Sequence, residues 1–262
     1  MNNQNGSTGL KTVAIIPARI GSEEVHAKVL TDLGGKTVIE HVFDRVVESN
    51  VFDEVLIAAD HNQIIDTALA FGAKTYLTSG DHICGTDRCA EAACEVFPDA
   101  EIVVNIQADE PFLNPQMIPL VVEPLTQDDL WDMATLCCPP PEGVNCESPF
   151  TVKIVRAPNG RAIYFSRSMI PFPRYEHNTF YVQHIGIYGY RMAQLQRFAH
   201  SGPSALEMAE GLEQLRALEL EMRIKVIETE LDYPGVSIDT QADIDRAQKL
   251  AAEMQRAGGV SP

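Results

Sequence analysis

Two aspartates, a lysine and an arginine carry most of the reactive potential of this chain. Asp109 closes the most strand-like run in the sequence, residues 101–107 (EIVVNIQ), and Glu110-Pro111 follows it. A carboxylate at a strand's carboxyl end offers hard oxygen ligands to Mg²⁺. The same position also suits a loop acid that caps the next helix. Asp239 lies in GVSIDT, just before the helical pattern at 240–257. Either Asp239 or Thr240 suits an N-cap there. If Asp239 converged with Asp109, the pair would make a magnesium site fit for phosphoryl or nucleotidyl transfer. Arg19 and Lys28 flank a loop containing Gly21-Ser22. Two cations and several backbone N–H groups can hold a polyphosphate, and they can equally be solvated surface charges. The loop has no G-x-x-x-x-G-K-[ST] spacing, which excludes a P-loop.

Weaker signals lie further along. Gly85-Thr86-Asp87-Arg88 opens a helical segment whose first N–H groups attract anions, or which Thr86 simply caps. Ser166-Arg167, His184, Tyr188, Glu213, Gln214 and Arg216 are polar residues within apolar patterns. Glu213 and Arg216 are three apart, so their default reading is a surface ion pair. A histidine at the start of an apolar strand, such as His184, has a structural role as its default.

The elements that must position these residues alternate. Strand patterns at 12–18, 54–60, 73–78 and 101–107 are separated by helical patterns at 36–49, 61–71 and 86–97. The strands are continuously apolar, so the pattern predicts an α/β fold with a mostly parallel sheet covered by helices on both faces. Ligands then bind outside the carboxyl ends of the strands. Those ends are Pro17-Ala18-Arg19, Ala59-Asp60, Thr78-Ser79 and Gln107-Ala108-Asp109. From about 130 to 190 strand-like runs follow one another without long helices, which predicts an inserted antiparallel lobe. Helical patterns return at 205–220 and 240–257, with a strand at 223–229. Residues 1–10 read as a disordered tail, and 11–258 as a single domain carrying the insertion.

Bulk properties narrow the partners. The net charge of −17 over 262 residues disfavours nucleic acid and anionic lipid. No apolar run reaches the length of a membrane span and no signal-peptide pattern precedes the first strand, so a cytoplasmic protein is expected. The six cysteines form no C-x-x-C pair and no zinc spacing, and Cys84, Cys89 and Cys94 read as small apolar residues in or beside a helix.

Eight ordered segments give the chain a family resemblance. They are IIPAR (15–19), GTDR (85–88), VNIQADEP (104–111), VKIV (152–155), YFSR (164–167), HIGIYGYR (184–191), LEQLRAL (212–218) and SIDT (237–240). Together they resemble the 3-deoxy-manno-octulosonate (Kdo) cytidylyltransferases, from about residue 12 to 252. The resemblance implies a nucleotide-diphospho-sugar transferase fold with a dimerising insertion, hence a homodimer. It implies transfer of CMP from CTP to the anomeric hydroxyl of a sugar acid, with Mg²⁺ as cofactor, in lipopolysaccharide synthesis. Asp109 and Asp239 match the family's metal ligands, which turns Asp239 from a plain cap into a ligand. Arg19 and Lys28 match its triphosphate contacts. Pro17, Ala18, Ser79 and Gln107 fall at the nucleotide, and Arg88, Arg167, His184, Glu213 and Gln214 at the acid acceptor.

The opening loop departs from the family pattern R-x-x-S-x-R-x-P-x-K-P-L. Arg19, Ser22 and Lys28 remain, but Glu24 replaces an arginine, and His26 and Val29 replace prolines. A loop acid about 6 Å from one phosphate charge costs about 3 kcal/mol at an effective dielectric near 20. Glu23 and Glu24 therefore point away, bind a cation, or weaken CTP binding. Ala108 stands where the family has glycine, and Gln183 where many relatives have arginine. These changes leave two alternatives open: the same chemistry on another acid acceptor, such as a modified octulosonate, a sialic-type acid or a small phosphonate, or a catalytically silent nucleotide-binding paralogue.

Overall fold

The computed structural model describes residues 9–21, 27–141, 144–175, 181–238 and 240–257. Ser22, Glu23, Glu24 and His26 of the opening loop, residues 1–8 of the expected tail, and Asp239 lie outside the described residues.

The first half follows the predicted alternation. Strands β1 (Thr12–Ala18), β2 (Glu54–Ala59), β3 (Lys74–Leu77) and β4 (Ile102–Ile106) pair in parallel in the order β3-β2-β1-β4. Helices α1 (Val38–Glu48), α2 (Asn62–Ala70) and α3 (Gly85–Val96) connect them. Every residue of β1 is buried, because helices cover both faces of the sheet. Full burial of a side chain such as Ile15 or Ile16 contributes about 1.5–3 kcal/mol. Thr37 starts α1 by accepting a hydrogen bond from the Glu40 N–H, and Gly72, at φ +86°, follows the end of α2 as its sequence position predicts.

The second half extends the same sheet. After α4 (Ile118–Gln127) come β5 (Met133–Cys138), the β6 (Lys153–Arg156) and β7 (Ala162–Ser166) hairpin, and β8 (Gln183–Arg191). Helices α5 (Met192–Ser201), α6 (Ala205–Glu210) and α7 (Gln214–Glu219), strand β9 (Ile224–Glu228) and helix α8 (Gln241–Ala257) complete the chain. The main path is β3-β2-β1-β4-β8-β5-β9, with the hairpin attached beside β8. Of the strand runs between 130 and 190, β5 and β8 therefore lie on the main path of the sheet, and the β6–β7 hairpin branches from it through the β6–β8 pairing. β8 runs antiparallel to both neighbours. Its beginning, Gln183-His184, thus reaches the rim where β4 and β5 end.

Two local results differ from the sequence pattern. The single helix expected over 205–220 is broken, because Gly211 adopts φ +60° and ends α6 by donating to the Glu207 carbonyl. Glu213 and Gln214 emerge at this break. Helices α4 and α5 escape the sequence pattern. Pro119 and Pro124 disguise α4, and α5 starts directly where β8 ends.

Candidate active site

The rim holding the ends of β1 and β4 and the start of β8 borders a cavity of about 900 Å³. Arg19, Lys28, Gln107 and Asp109 line one side of it, and Arg167, His184, Glu213 and Gln214 the other. Residues from six separate stretches of sequence converge there, as the strand-end rule requires.

On the first side, the opening loop is closed at its base. The Ala27 N–H donates to the Ile20 carbonyl (2.7 Å), and Ala27 takes a left-handed φ of 55°. Such strain persists only where surrounding structure enforces it. Buried Val29 anchors the following turn, and Lys28 Nζ reaches Asp109 Oδ2 at 2.8 Å. A polar relay aims Gln107. Asn105 Nδ2 donates to Thr86 Oγ1 (3.0 Å), and Gln107 Nε2 donates to Asn105 Oδ1 (3.0 Å). Gln107 Oε1 is thereby left as an acceptor.

Asp239 is flanked by described residues that come to the same place. The Ile238 N–H donates to the Asp109 carbonyl (3.0 Å), and Ser237 and Thr240 line the cavity. The cap that Asp239 or Thr240 could provide is made by Thr240. Its Oγ1 accepts from the Asp243 N–H (3.3 Å), and Asp243 Oδ2 accepts from the Thr240 N–H (2.8 Å). This reciprocal pair is a capping box with Asp at the third position.

The second side is held by polar contacts that range from exposed at Arg167 to buried at Lys153. Arg167 donates through Nε to the Glu210 carbonyl (2.6 Å), through Nη1 to that of Pro149 (2.7 Å) and through Nη2 to that of Gly211 (3.1 Å). A guanidinium has five N–H groups, so two remain for a ligand. Lys153 has no exposed surface, and its ammonium donates to the carbonyls of Ser148 (3.2 Å), Thr151 (2.5 Å) and Arg167 (2.5 Å). Burial lowers the pKa of Lys153. Burial also pushes the His184 imidazole down to about 3, so the ring is neutral.

Burial raises the pKa of Glu213, while the Thr86 N–H at the start of α3 donates to its Oε2 (3.1 Å). The helix end read from the sequence as anion-attracting thus holds the protein's own carboxylate, and Cys84 rather than Thr86 is its N-cap. Arg216 departs from the expected surface pair with Glu213. It is buried between Glu207 (Nε–Oε2 2.6 Å) and Asp87 (Nη1–Oδ1 2.7 Å), with its guanidinium 4.1 Å from the Phe198 ring centre. Gly211 separates Glu213 from α6 and turns Arg216 inward.

Four predicted residues do not line the cavity. Arg88 is buried, bonded to Thr78 Oγ1, to the Ser79 carbonyl (3.2 Å) and to Asp60 (3.2 Å), so it ties together the ends of β2 and β3 instead of meeting the cavity. Ser79 donates its N–H to Glu91 (3.2 Å). Pro17 and Ala18 are buried at the end of β1, and a side chain at Gly85 would meet Pro17 Cγ at 3.2 Å. Lys153 and Thr135 escape the sequence reading as individual residues. The signal for Thr135 is a lone polar residue inside the otherwise apolar β5, whereas Lys153 opens β6, which also ends in a cation, Arg156.

A parallel-cored sheet with cations, an acid and an aimed amide at its strand ends suits nucleotidyl transfer. A model of the cytidylyltransferase family matches residues 13–224. The 3-deoxy-manno-octulosonate cytidylyltransferase of Synechococcus elongatus is 38% identical, over 93% of this chain and 99% of the relative. That of Geotalea uraniireducens is 40% identical, over 90% and 97%. A solved CMP:2-keto-3-deoxy-manno-octonic acid synthetase complexed with CTP is 36% identical, has a TM-score of 0.85, and is matched over 93% of this chain and 99% of its own. The chain belongs to the 3-deoxy-manno-octulosonate cytidylyltransferase family. A 4-diphosphocytidyl-2C-methyl-D-erythritol synthase from Anaerococcus prevotii, 17% identical with a TM-score of 0.63, shares the fold alone.

Proposed function

We propose that the protein transfers CMP from CTP to the anomeric hydroxyl of Kdo and releases pyrophosphate. The observation that carries this reading is a single cavity joining Arg19, Lys28, Gln107 and Asp109 to Arg167, His184 and Gln214, in a chain homologous to Kdo cytidylyltransferases over almost its whole length.

Lys28 and Arg19 take the triphosphate. Lys28 exchanges Asp109 for phosphate oxygens, and the released carboxylate oxygen becomes available as a metal ligand. Gln107 Oε1, fixed as an acceptor by the Asn105 relay, takes the exocyclic amine of cytosine and gives no such bond to uracil. The two remaining N–H groups of Arg167 take the acceptor's carboxylate. His184 and Gln214 take sugar hydroxyls, which brings the anomeric oxygen to the α-phosphorus in line with the pyrophosphate. The new P–O bond forms as the α–β phosphoanhydride breaks, and the anomeric hydroxyl gives up its proton to solvent. Positioning and charge complementarity do most of the work, and no side chain becomes a covalent nucleophile.

The donor set suits Mg²⁺. Asp109 offers hard oxygens, and its main chain is bonded to Ile238, the residue before Asp239. Asp109 and Asp239 would hold the ion, which when bound supplies charge screening and stabilises the leaving pyrophosphate. The reading includes a homodimer. Ile163, Phe172 and Tyr175, on β7 and the segment after it, are exposed apolar side chains of the kind a second copy would cover. It also includes the cytoplasm, where the lipopolysaccharide precursor would be activated. Among the described residues no helix is long and apolar enough to cross a membrane.

The test is product mass after incubation with CTP, Mg²⁺ and Kdo. CMP-Kdo and one pyrophosphate per turnover are expected. Gln183 and Ala108 favour a modified acceptor as the second reading, so the screen includes 8-carbon acids altered at single positions. CTP binding in calorimetry with no product from any acid would instead identify a silent paralogue.

A further inference from the structure

Thr135 lies in β5 and is fully buried. Its hydroxyl oxygen is 2.9 Å from His184 Nε2, 2.8 Å from the Ile187 carbonyl and 3.4 Å from the Ile185 carbonyl. The β5–β8 register slips at this point: Thr135 faces Tyr188, while Leu136 faces Ile185. Gly186 and Ile187 are therefore extra residues on β8. Such bulges re-aim side chains next to active sites.

A threonine has one hydroxyl hydrogen. Carbonyl oxygens only accept, so a 2.8 Å approach to the Ile187 carbonyl requires that hydrogen to lie between the two oxygens. The contact with His184 must then run the other way, with Nε2–H donating to a lone pair of Oγ1. The neutral ring carries one hydrogen. Nδ1 is therefore left bare. It has no hydrogen-bond partner among the described residues, and its side chain lines the cavity.

We propose that Thr135 is a positioning residue that fixes His184 in the Nε2–H tautomer, so that Nδ1 meets the acid acceptor as a hydrogen-bond acceptor. His184 then takes a hydroxyl and turns away a carboxylate, which is left to Arg167. The identity of the hydroxyl-bearing ligand rests on the Kdo reading, whereas the tautomer does not.

The first measurement is a long-range ¹H–¹⁵N spectrum of the wild-type protein at neutral pH, with the His184 signals assigned by their loss in His184→Asn. A protonated Nε2 and an unprotonated Nδ1 are expected, and the reverse pattern overturns the proposal. The second is kinetic. Thr135→Val keeps the shape and removes the hydroxyl, and should raise KM for the acid acceptor about tenfold, the size of one lost hydrogen bond, while KM for CTP stays within about twofold. Thr135→Ser should restore both the tautomer and KM. A valine variant with unchanged tautomer and unchanged KM, or a serine variant that behaves like valine, sinks the idea. If valine prevents folding, the wild-type spectrum and the serine variant decide. If the wild type makes nothing from Kdo, the functional reading fails, and the spectrum alone still decides the tautomer.

Discussion

The two sides of the cavity use charge differently. The phosphate side, from β1 and β4, keeps its charges few and near the surface. Lys28 and Asp109 hold each other at 2.8 Å, with 13% and 23% of their side chains exposed. The acceptor side, from β8 and the α6–α7 break, rests on charges removed from water. Arg216 lies between Glu207 and Asp87, and Lys153 is ringed by three carbonyls. Phosphate-side charges can change partners when a ligand arrives, because each is still partly hydrated. Acceptor-side charges are committed to the fold, because breaking a buried pair strands its partner. One side is adapted to a large, highly charged ligand, and the other is preorganised for a small one with many hydroxyls.

This contrast predicts where substitutions act. The largest effect is expected from Arg216→Leu, which strands the carboxylate of buried Glu207 and that of half-buried Asp87. It should lower unfolding stability by about 3–5 kcal/mol in urea titrations. A loss below about 1 kcal/mol would show that the acceptor side is not held by this cluster. Asp109→Asn should do the opposite. It should lower kcat/KM in a pyrophosphate-release assay by about 10²–10³-fold, the scale of losing one preorganised electrostatic contact. Its unfolding stability should move by less than about 1 kcal/mol, since the pair with Lys28 is partly exposed.

The next effect is on pH dependence. His184 has its pKa pushed down to about 3 by burial. Between that value and the ordinary 6.5 the unfolded chain binds a proton that the folded ring refuses. Its contribution is therefore complete above pH 6.5 and is lost as pH falls. By pH 4.5 the loss is about 2–3 kcal/mol. Denaturation of wild type and His184→Gln at pH 7 and pH 4.5 should show the variant losing less on acidification. Equal losses would mean that His184 titrates normally.

The smallest effect is expected at Gln183. Its Oε1 is buried with no partner among the described residues, although the residue lines the cavity. Gln183→Leu should leave stability unchanged or raise it by about 1 kcal/mol, because no bond is lost on folding. The same change should raise KM for the acid acceptor. A clear loss of stability would mean that even this orphaned atom serves the fold.

Much of the phosphate side was legible in the primary structure. Continuous apolar strands ending in Arg19, Asp60 and Gln107-Ala108-Asp109 imply a parallel sheet and its crevice, because side chains buried on both faces leave only the strand ends free for polar work. The acceptor side was legible mainly as residue types. Gly211 broke a helix that the apolar spacing of 205–220 predicted as continuous, and only that break brings Glu213 and Gln214 to the cavity. Arg88 and Arg216 have the composition of ligand or surface cations, yet they are buried, each bonded to a carboxylate distant in sequence, Asp60 and Asp87.

Sequence by itself thus determined the alternation of strands and helices as far as β4, the rim where chemistry can occur and the kinds of group available there, since these follow from local periodicity and chain direction. Tertiary structure decided which charges hold the fold and which face the cavity, that β8 enters the sheet antiparallel between β4 and β5, and which ring nitrogen of His184 carries the proton. Those outcomes depend on partners distant in the chain, such as Thr135 for His184 and Asp87 for Arg216. Burial makes such pairings energetically decisive, and no window of neighbouring residues contains them.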